Sequence, residues 1–154
     1  MQEKRYSIFP IKNSDLWERY QHSKEQHWDV NEVDLGDDKW NHLTDNEKDV
    51  LKTILAFFLI SDGIVIDNLV FKVIPEVEEI EAQFFYNFQI FNESIHAEMY
   101  GLFIEAYIQD PKEKDFLYEP IKNLKTVREK ANWALSWIES PHSNLAKKII
   151  SFAV

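Results

Sequence analysis

The stretch FYNFQIFNESIHAEMYGLFIEAY, Phe85 to Tyr107, sets Glu93, His96, Glu98 and Glu105 among aromatic rings and aliphatic side chains. Its pattern predicts a helix from about Val77 to Ile108, far longer than the 11–12 residues usual in globular proteins. Glu93 and His96 are three residues apart and share one helix face, and Tyr100 lies on the same stripe one turn further on. Charged groups avoid such a face unless something there meets their charge.

A second long helix precedes it. Thr44 followed by Glu47 forms a capping box, and Leu51, Ile54, Leu55, Phe58, Val65, Ile66 and Leu69 continue at helical spacing to about Val73, just before Pro75. Asp62 falls inside this apolar stripe, four residues after Phe58 and four before Ile66. Two such helices without sustained heptads predict an all-α bundle rather than a coiled coil. If they are antiparallel about a turn at Ile74–Pro75, Asp62 and Glu93 miss the same level by about 8 Å at 1.5 Å per residue. Bringing them level requires the turn to extend toward Glu79.

Shorter elements flank the pair. Residues 1–12 read as extended or irregular. Asn13 or Ser14 caps a helix to about His27 that carries Leu16, Trp17, Tyr20 and Ser23. The segment from Trp28 to His42 reads as a connector, with a short helical turn near Lys39. Asp110 and Pro111 start another helix, which Pro120 weakens. Thr126 with Glu129 opens the next, and Ser140–Pro141 restarts the chain for LAKKIISFAV. That last run breaks off at Val154 in the manner of a helix cut part-way.

Composition sets the limits. With 154 residues, 45% hydrophobic, 14% aromatic and only 3 Gly, the chain suits one helix-rich unit. The absence of cysteine leaves carboxylates and imidazoles as the metal ligands and fits a reducing, cytoplasmic setting. A net charge of -10 argues against nucleic-acid binding. The apolar run ILAFFLI, broken by Ser61 and Asp62, is too short to cross a membrane, for which about 20 residues are needed. A soluble protein is expected.

Glu-x-x-His on a helix is the element from which ferritin-like dinuclear metal sites are built, one copy from each of two helices. Each residue of interest also has a plainer reading. His96 can be a core histidine bonded to Glu93, and Asp62 can be held by a salt bridge or by a backbone amide near Gly63. Tyr100 can be a core tyrosine or a one-electron donor beside a metal. Trp28 can be a packing anchor or an electron relay. His22, His27, His42 and His142 lie in polar surroundings and read as surface residues. Glu98 and Glu105 read as solvated or partner-facing, Asp67 as solvated or paired, and the acidic run Glu76, Glu78, Glu79 and Glu81 as favourable charge at a helix N-terminus.

Five blocks, RYSIFPI, HWDVNEVDL, LAFFLISDGIV, FYNFQIFNESIHAEMYGLFIEAYIQDP and KANWALSWI, occur in this order. Together they resemble the N-terminal half of the small, radical-bearing subunit of class I ribonucleotide reductase, in its eukaryotic and large-DNA-virus branch. The resemblance implies a ferritin-like helical bundle, incomplete in this chain, so that residues 1–154 form the N-terminal part of a dimetal domain. It implies that Asp62, Glu93 and His96 are ligands of a dinuclear iron site, with manganese as an alternative, that uses dioxygen to make a radical on Tyr100. Trp28 then lies on the electron route to the large subunit, where ribonucleoside diphosphates are reduced. A further glutamate, a second Glu-x-x-His, the relay carboxylate and the docking tail belong to the family's second half. The resemblance therefore implies a missing C-terminal half or a second copy, a homodimer of complete subunits, and little activity for this chain alone. A ferritin-like oxidase or ferroxidase, or a metal-free half-domain serving assembly, are the other functions considered.

Overall fold

The computed structural model describes residues 5–140 and 144–153, so the restart expected at Pro141 and the surface position expected for His142 lie outside the described residues. Seven α-helices occur among them, and no strand. They are α1 (Ser14–Glu25), α2 (Asp45–Asn68), α3 (Ile80–Tyr107), α4 (Pro111–Tyr118), α5 (Pro120–Asn123), α6 (Lys125–Ile138) and α7 (Leu145–Ala153).

The caps explain most of the boundaries. Asn13 accepts from the Leu16 N–H at the start of α1, and Asp110 accepts from the Lys112 N–H with Pro111 at the first helical position of α4. At α2, Thr44 and Glu47 satisfy each other's backbone donors as a complete capping box. Thr44→Ala is expected to cost about 1 kcal/mol, read as a lower urea midpoint with an unchanged slope. An unaltered midpoint would show that α2 is held by packing alone.

One start differs from expectation. Helix α6 begins at Lys125 with Leu124 in the cap position and no side-chain cap, so Thr126 does not open it. Leu124 packs on a buried cluster of Ala56, Ile104, Ile108 and Leu117, and its burial, rather than a polar cap, sets the chain's entry into α6. Glu129 instead lies 3.7 Å from Lys125.

Helices α2 and α3 form an antiparallel pair. Ala56 at the middle of α2 meets Ile104 near the end of α3, while Leu69 and Val73 beyond α2 meet Ala82 at the start of α3. Between them the chain makes a π turn at Leu69–Val73 and a 3-10 turn at Ile74–Glu76, so that α3 starts only after Glu79. This is the extended turn that levelling Asp62 with Glu93 requires. Helix α1 lies along α3, with the Tyr20 ring edge-on to Phe84 and Phe88 at 5.7 and 6.2 Å.

The N-terminal segment is fastened by a residue the sequence reading assigned to helix-terminal charge. Glu81 is 1% exposed, accepts from Arg5 Nη2 at 2.5 Å and from the Lys12 N–H at 2.7 Å, and thereby ties residues 5–13 to α3.

The continuous helical run Asp45–Glu76 is long and apolar enough to cross a membrane by length and composition, which corrects the view that its apolar part is too short. In this fold the run is a bundle helix. One side packs on α3, while Val50, Leu51, Ile54, Phe58, Val70 and Phe71 remain exposed.

Candidate metal centre

Asp62 from α2 and Glu93 and His96 from α3 come together, each offering a ligand atom within 4.8 Å of the others. Helical spacing brings Glu93 and His96 together, with Glu93 Oε2 3.1 Å from His96 Nδ1. The displaced turn brings Asp62 to the same level. Asp62 is 7% exposed, and its Oδ2 has no hydrogen-bond partner. Burial first, and then the Glu93 carboxylate, push its pKa up to about 6, while His96 pulls the other way.

An orphaned, buried carboxylate oxygen facing a second carboxylate and an imidazole fits a divalent cation. The donor set of two oxygens and one nitrogen suits iron, manganese or zinc, with no thiolate required. Asp62, Glu93 and His96 are the residues that could hold such an ion. Two of the plainer readings meet these contacts directly. His96 contacts Glu93, as its plainer reading expects, whereas neither a salt bridge nor a backbone amide satisfies Asp62 Oδ2.

Two aromatic residues complete the setting. The Tyr100 ring is stacked on Phe58 with centroids 5.4 Å apart, and burial, followed by the charges of Asp62 and Glu93, pushes the Tyr100 phenol up. Trp28 stacks on the His96 imidazole at 6.0 Å and 24°. Its placement follows from the next residues: Asp29 accepts from the Asn31 N–H while Glu32 accepts from the Asp29 N–H, closing a 3-10 turn at Val30–Glu32.

Three neighbours escaped the sequence reading. Gln89 Nε2 lies 3.4 Å from Glu93 Oε1, and Asn92 Nδ2 lies 3.3 Å from His96 Nε2. Both amides stand four residues before the group they touch, so the i,i+4 rule was the available signal. Phe58, the ring on Tyr100, was read only as part of an apolar stripe. Glu98 and Asp67 are exposed, as expected, whereas Glu105, expected to be solvated or to face a partner, pairs within the chain with Lys114 and Tyr118. His22 and His42 are exposed, and His27 is exposed with its ring against Phe91 at 5.2 Å.

Comparison with known proteins decides what kind of bundle this is. The sequence matches the family "Ribonucleotide reductase, small chain" over residues 5–154. The chain belongs to the ribonucleotide reductase small-chain family. It is 47% identical over 151 residues to the ribonucleoside-diphosphate reductase small chain of Yaba-like disease virus, covering 97% of this chain and 46% of that protein. It is 43% identical over 152 residues to the human ribonucleoside-diphosphate reductase subunit M2, covering 97% and 39%. The structure of the ribonucleotide reductase Rnr4 homodimer from Saccharomyces cerevisiae superimposes with a TM-score of 0.84 at 31% identity, over 98% of this chain and 48% of that one. The dimanganese(II)-NrdF of Streptococcus sanguinis, at 19% identity and a TM-score of 0.82, shares the fold. This small-chain family member is thus all-α and ferritin-like, and it spans about half the length of the relatives it matches.

Proposed function

We propose that this chain is the N-terminal part of a radical-generating ribonucleoside-diphosphate reductase small subunit, residues 1–154 forming one portion of a ferritin-like dimetal domain that works in the cytoplasm. The observation that carries this reading is the convergence of Asp62, Glu93 and His96 beside Tyr100, with Trp28 stacked on the imidazole, in a member of that family. A bound pair of iron or manganese ions would supply, with dioxygen, the oxidising power to take one electron and one proton from Tyr100.

The chain's own residues do the rest. Asp62, Glu93 and His96 hold one side of the centre. Phe58 stacks on one face of the Tyr100 ring and fixes its orientation. Trp28, in contact with a metal-binding imidazole, is placed to pass an electron between the centre and the large subunit, on which the nucleotide would be reduced. Three ligands are half of a dinuclear carboxylate site, which takes four carboxylates and two imidazoles. The other half is to come from a complementary C-terminal half or a second copy.

The exposed apolar side of α2 supports that assembly. So does a groove of about 640 Å³ between α2 and α6, lined by Phe57, Ile64, Val127 and Trp133, where the buried Asn68 Oδ1 has no partner. Apolar surface of this extent is characteristic of a face that another element covers.

The test is metal stoichiometry combined with electron resonance. Chain supplemented with the complementary half, ferrous iron and dioxygen should bind two irons per site and develop a tyrosyl-radical signal. Tyr100→Phe should abolish the signal and leave the iron content intact. A signal that survives this substitution would remove Tyr100 from the reading. Iron uptake with no radical in either protein would favour a ferroxidase instead.

A further inference from the structure

A second aromatic assembly stands at the C-terminal end of α3, away from the metal-binding residues. Tyr107, the last residue of that helix, is stacked on Trp40 with centroids 4.9 Å apart at 14°, and on Phe103 with centroids 5.8 Å apart at 18°. Phe103 stands one turn earlier on α3, and Trp40 comes from the 3-10 turn Trp40–His42. Trp40 and Tyr107 also pack on the buried cluster of Ala56, Ile104, Ile108 and Leu117, which holds both rings in place. The Tyr107 hydroxyl donates to Asp38 Oδ2. Among the described residues no cation pairs with Asp38. Asp38, Trp40 and Tyr107 line a cavity of about 500 Å³, to which Asp110 and Glu113 add further carboxylates.

A phenol gives up an electron more readily when its proton can pass to a hydrogen-bonded base in the same step, because the strongly acidic phenol cation never forms. Asp38 supplies that base. We infer that Tyr107 is a redox-active tyrosine that exchanges single electrons with a diffusible partner in this cavity. In the forward step Tyr107 loses one electron to a one-electron oxidant, and its O–H bond breaks. The proton passes to Asp38 Oδ2, which leaves a neutral phenoxyl and a neutral carboxylic acid, and the oxidant is reduced by one electron. A one-electron donor reverses the step, with Asp38 returning the proton. Trp40 lies parallel to the phenol and lines the cavity, so the indole gives the electron a route out. The acidic lining favours a cationic partner, such as a metal complex.

Tyr118 supplies the contrast. Its hydroxyl donates to Glu105 at 2.7 Å, but Lys114 also pairs with Glu105 and holds that carboxyl below the usual range, which makes it the poorer proton acceptor. Among the described residues no ring is stacked on Tyr118. A purely structural role for the Tyr107–Asp38 contact, tying the connector to α3, needs an acceptor oxygen but no base. The inference makes no use of the metal centre.

The chain has no cysteine, so Gln109→Cys at the cavity attaches a ruthenium tris-bipyridyl photo-oxidant at one place. Metal-free protein with ring-deuterated tyrosine is flashed with an electron acceptor, frozen and read by electron resonance, the deuterons separating tyrosyl from tryptophanyl signals. A tyrosyl signal should form. Tyr107→Phe, which keeps a ring in the stack, should lose most of it, and Tyr118→Phe should keep it. Asp38→Asn retains an acceptor oxygen but takes no proton, so the signal should form more slowly while the urea midpoint stays near wild type. Trp40→Phe should also slow it.

A signal undiminished in Tyr107→Phe, or lost equally in Tyr118→Phe, would overturn the assignment. Formation at the wild-type rate in Asp38→Asn would reduce that contact to a tether and remove the proton step. An unchanged rate in Trp40→Phe would remove the indole from the route.

Discussion

Asp62→Asn is expected to stabilise the metal-free chain at pH 7 by about 3 kcal/mol while removing tight metal binding. Both effects have one cause. The folded chain holds Asp62 at about 6 rather than 3.8, chiefly because burial opposes its charge. At 1.36 kcal/mol per pKa unit this difference is a cost of about 3 kcal/mol once the group ionises. The sign follows from proton binding. The folded state holds the proton more tightly than the unfolded chain, so the cost is absent below 3.8, grows between 3.8 and about 6, and is fully present above that. Asparagine is neutral throughout and removes it.

Denaturant midpoints of wild type and Asp62→Asn should therefore converge near pH 4 and separate near pH 7. A constant difference across that range would mean that the carboxylate is not desolvated as the structure has it. Metal reverses the comparison. The ionised form is the ligand, and a cation binding only the folded state stabilises it by mass action. With saturating Mn2+ the wild type should become the more stable protein, while Asp62→Asn gains little. The amide's loss of affinity should exceed the roughly 10–100-fold typical of losing an outer-shell partner. A functional carboxylate that weakens the empty fold is the kind of conflict expected at a site rather than in a core.

The α3 half of this site was legible because helical spacing is a property of local sequence. Glu93, His96 and Tyr100 sit at i, i+3 and i+7, and nothing outside α3 is needed to place them on one stripe. The caps at Thr44–Glu47 and Asp110–Pro111 were legible for the same reason. Asp62 was readable as an anomaly, a carboxylate among apolar residues, but its level depended on the turn. The π turn at Leu69–Val73 and the late start of α3 at Ile80 have no unambiguous local signature. EVEEIEA permits an irregular start without dictating one. Trp28 was named without its contact, since its stacking on His96 joins residues far apart in the chain. Asn92 was missed because a polar residue beside a stronger pattern reads as solvated surface. Leu124 prevailed over Thr126 at the start of α6 because burial in a tertiary cluster outweighed a local cap.

Glu81→Ala should destabilise the chain by about 3 kcal/mol or more near neutral pH, a loss on the scale of breaking a buried ion pair from one side. No other carboxylate described here is so enclosed, and its oxygens serve three separate donors. Oε2 accepts from Arg5, and Oε1 accepts from the Lys12 and Asn13 N–H groups at 2.7 and 3.5 Å. Alanine would leave the guanidinium without its counterion and the Lys12 N–H without an acceptor where α1 begins. The loss should therefore spread through Asn13 into α1. It should also reach the packing of Leu16 against the buried cluster of Leu69, Val73, Val77 and Ala82.

The charge-assisted contact with Arg5, reinforced by the backbone donors, holds the Glu81 carboxyl at about 2 rather than 4.5. This folded pKa is depressed, so the stabilisation is fully present above 4.5 and is lost as pH falls through about 2. Wild type and Glu81→Ala should thus differ most at neutral pH and approach each other in acid, as the Asp62 pair does, but here with the wild type as the more stable protein. Glu81→Gln separates charge from shape, because its carbonyl can still accept one backbone N–H and the remaining deficit reports the Arg5 pair. If Glu81→Ala unfolds at the wild-type urea concentration, with amide exchange in α1 unchanged, then residues 5–13 are fastened by the packing of Phe9 on Trp17 and not by this carboxylate.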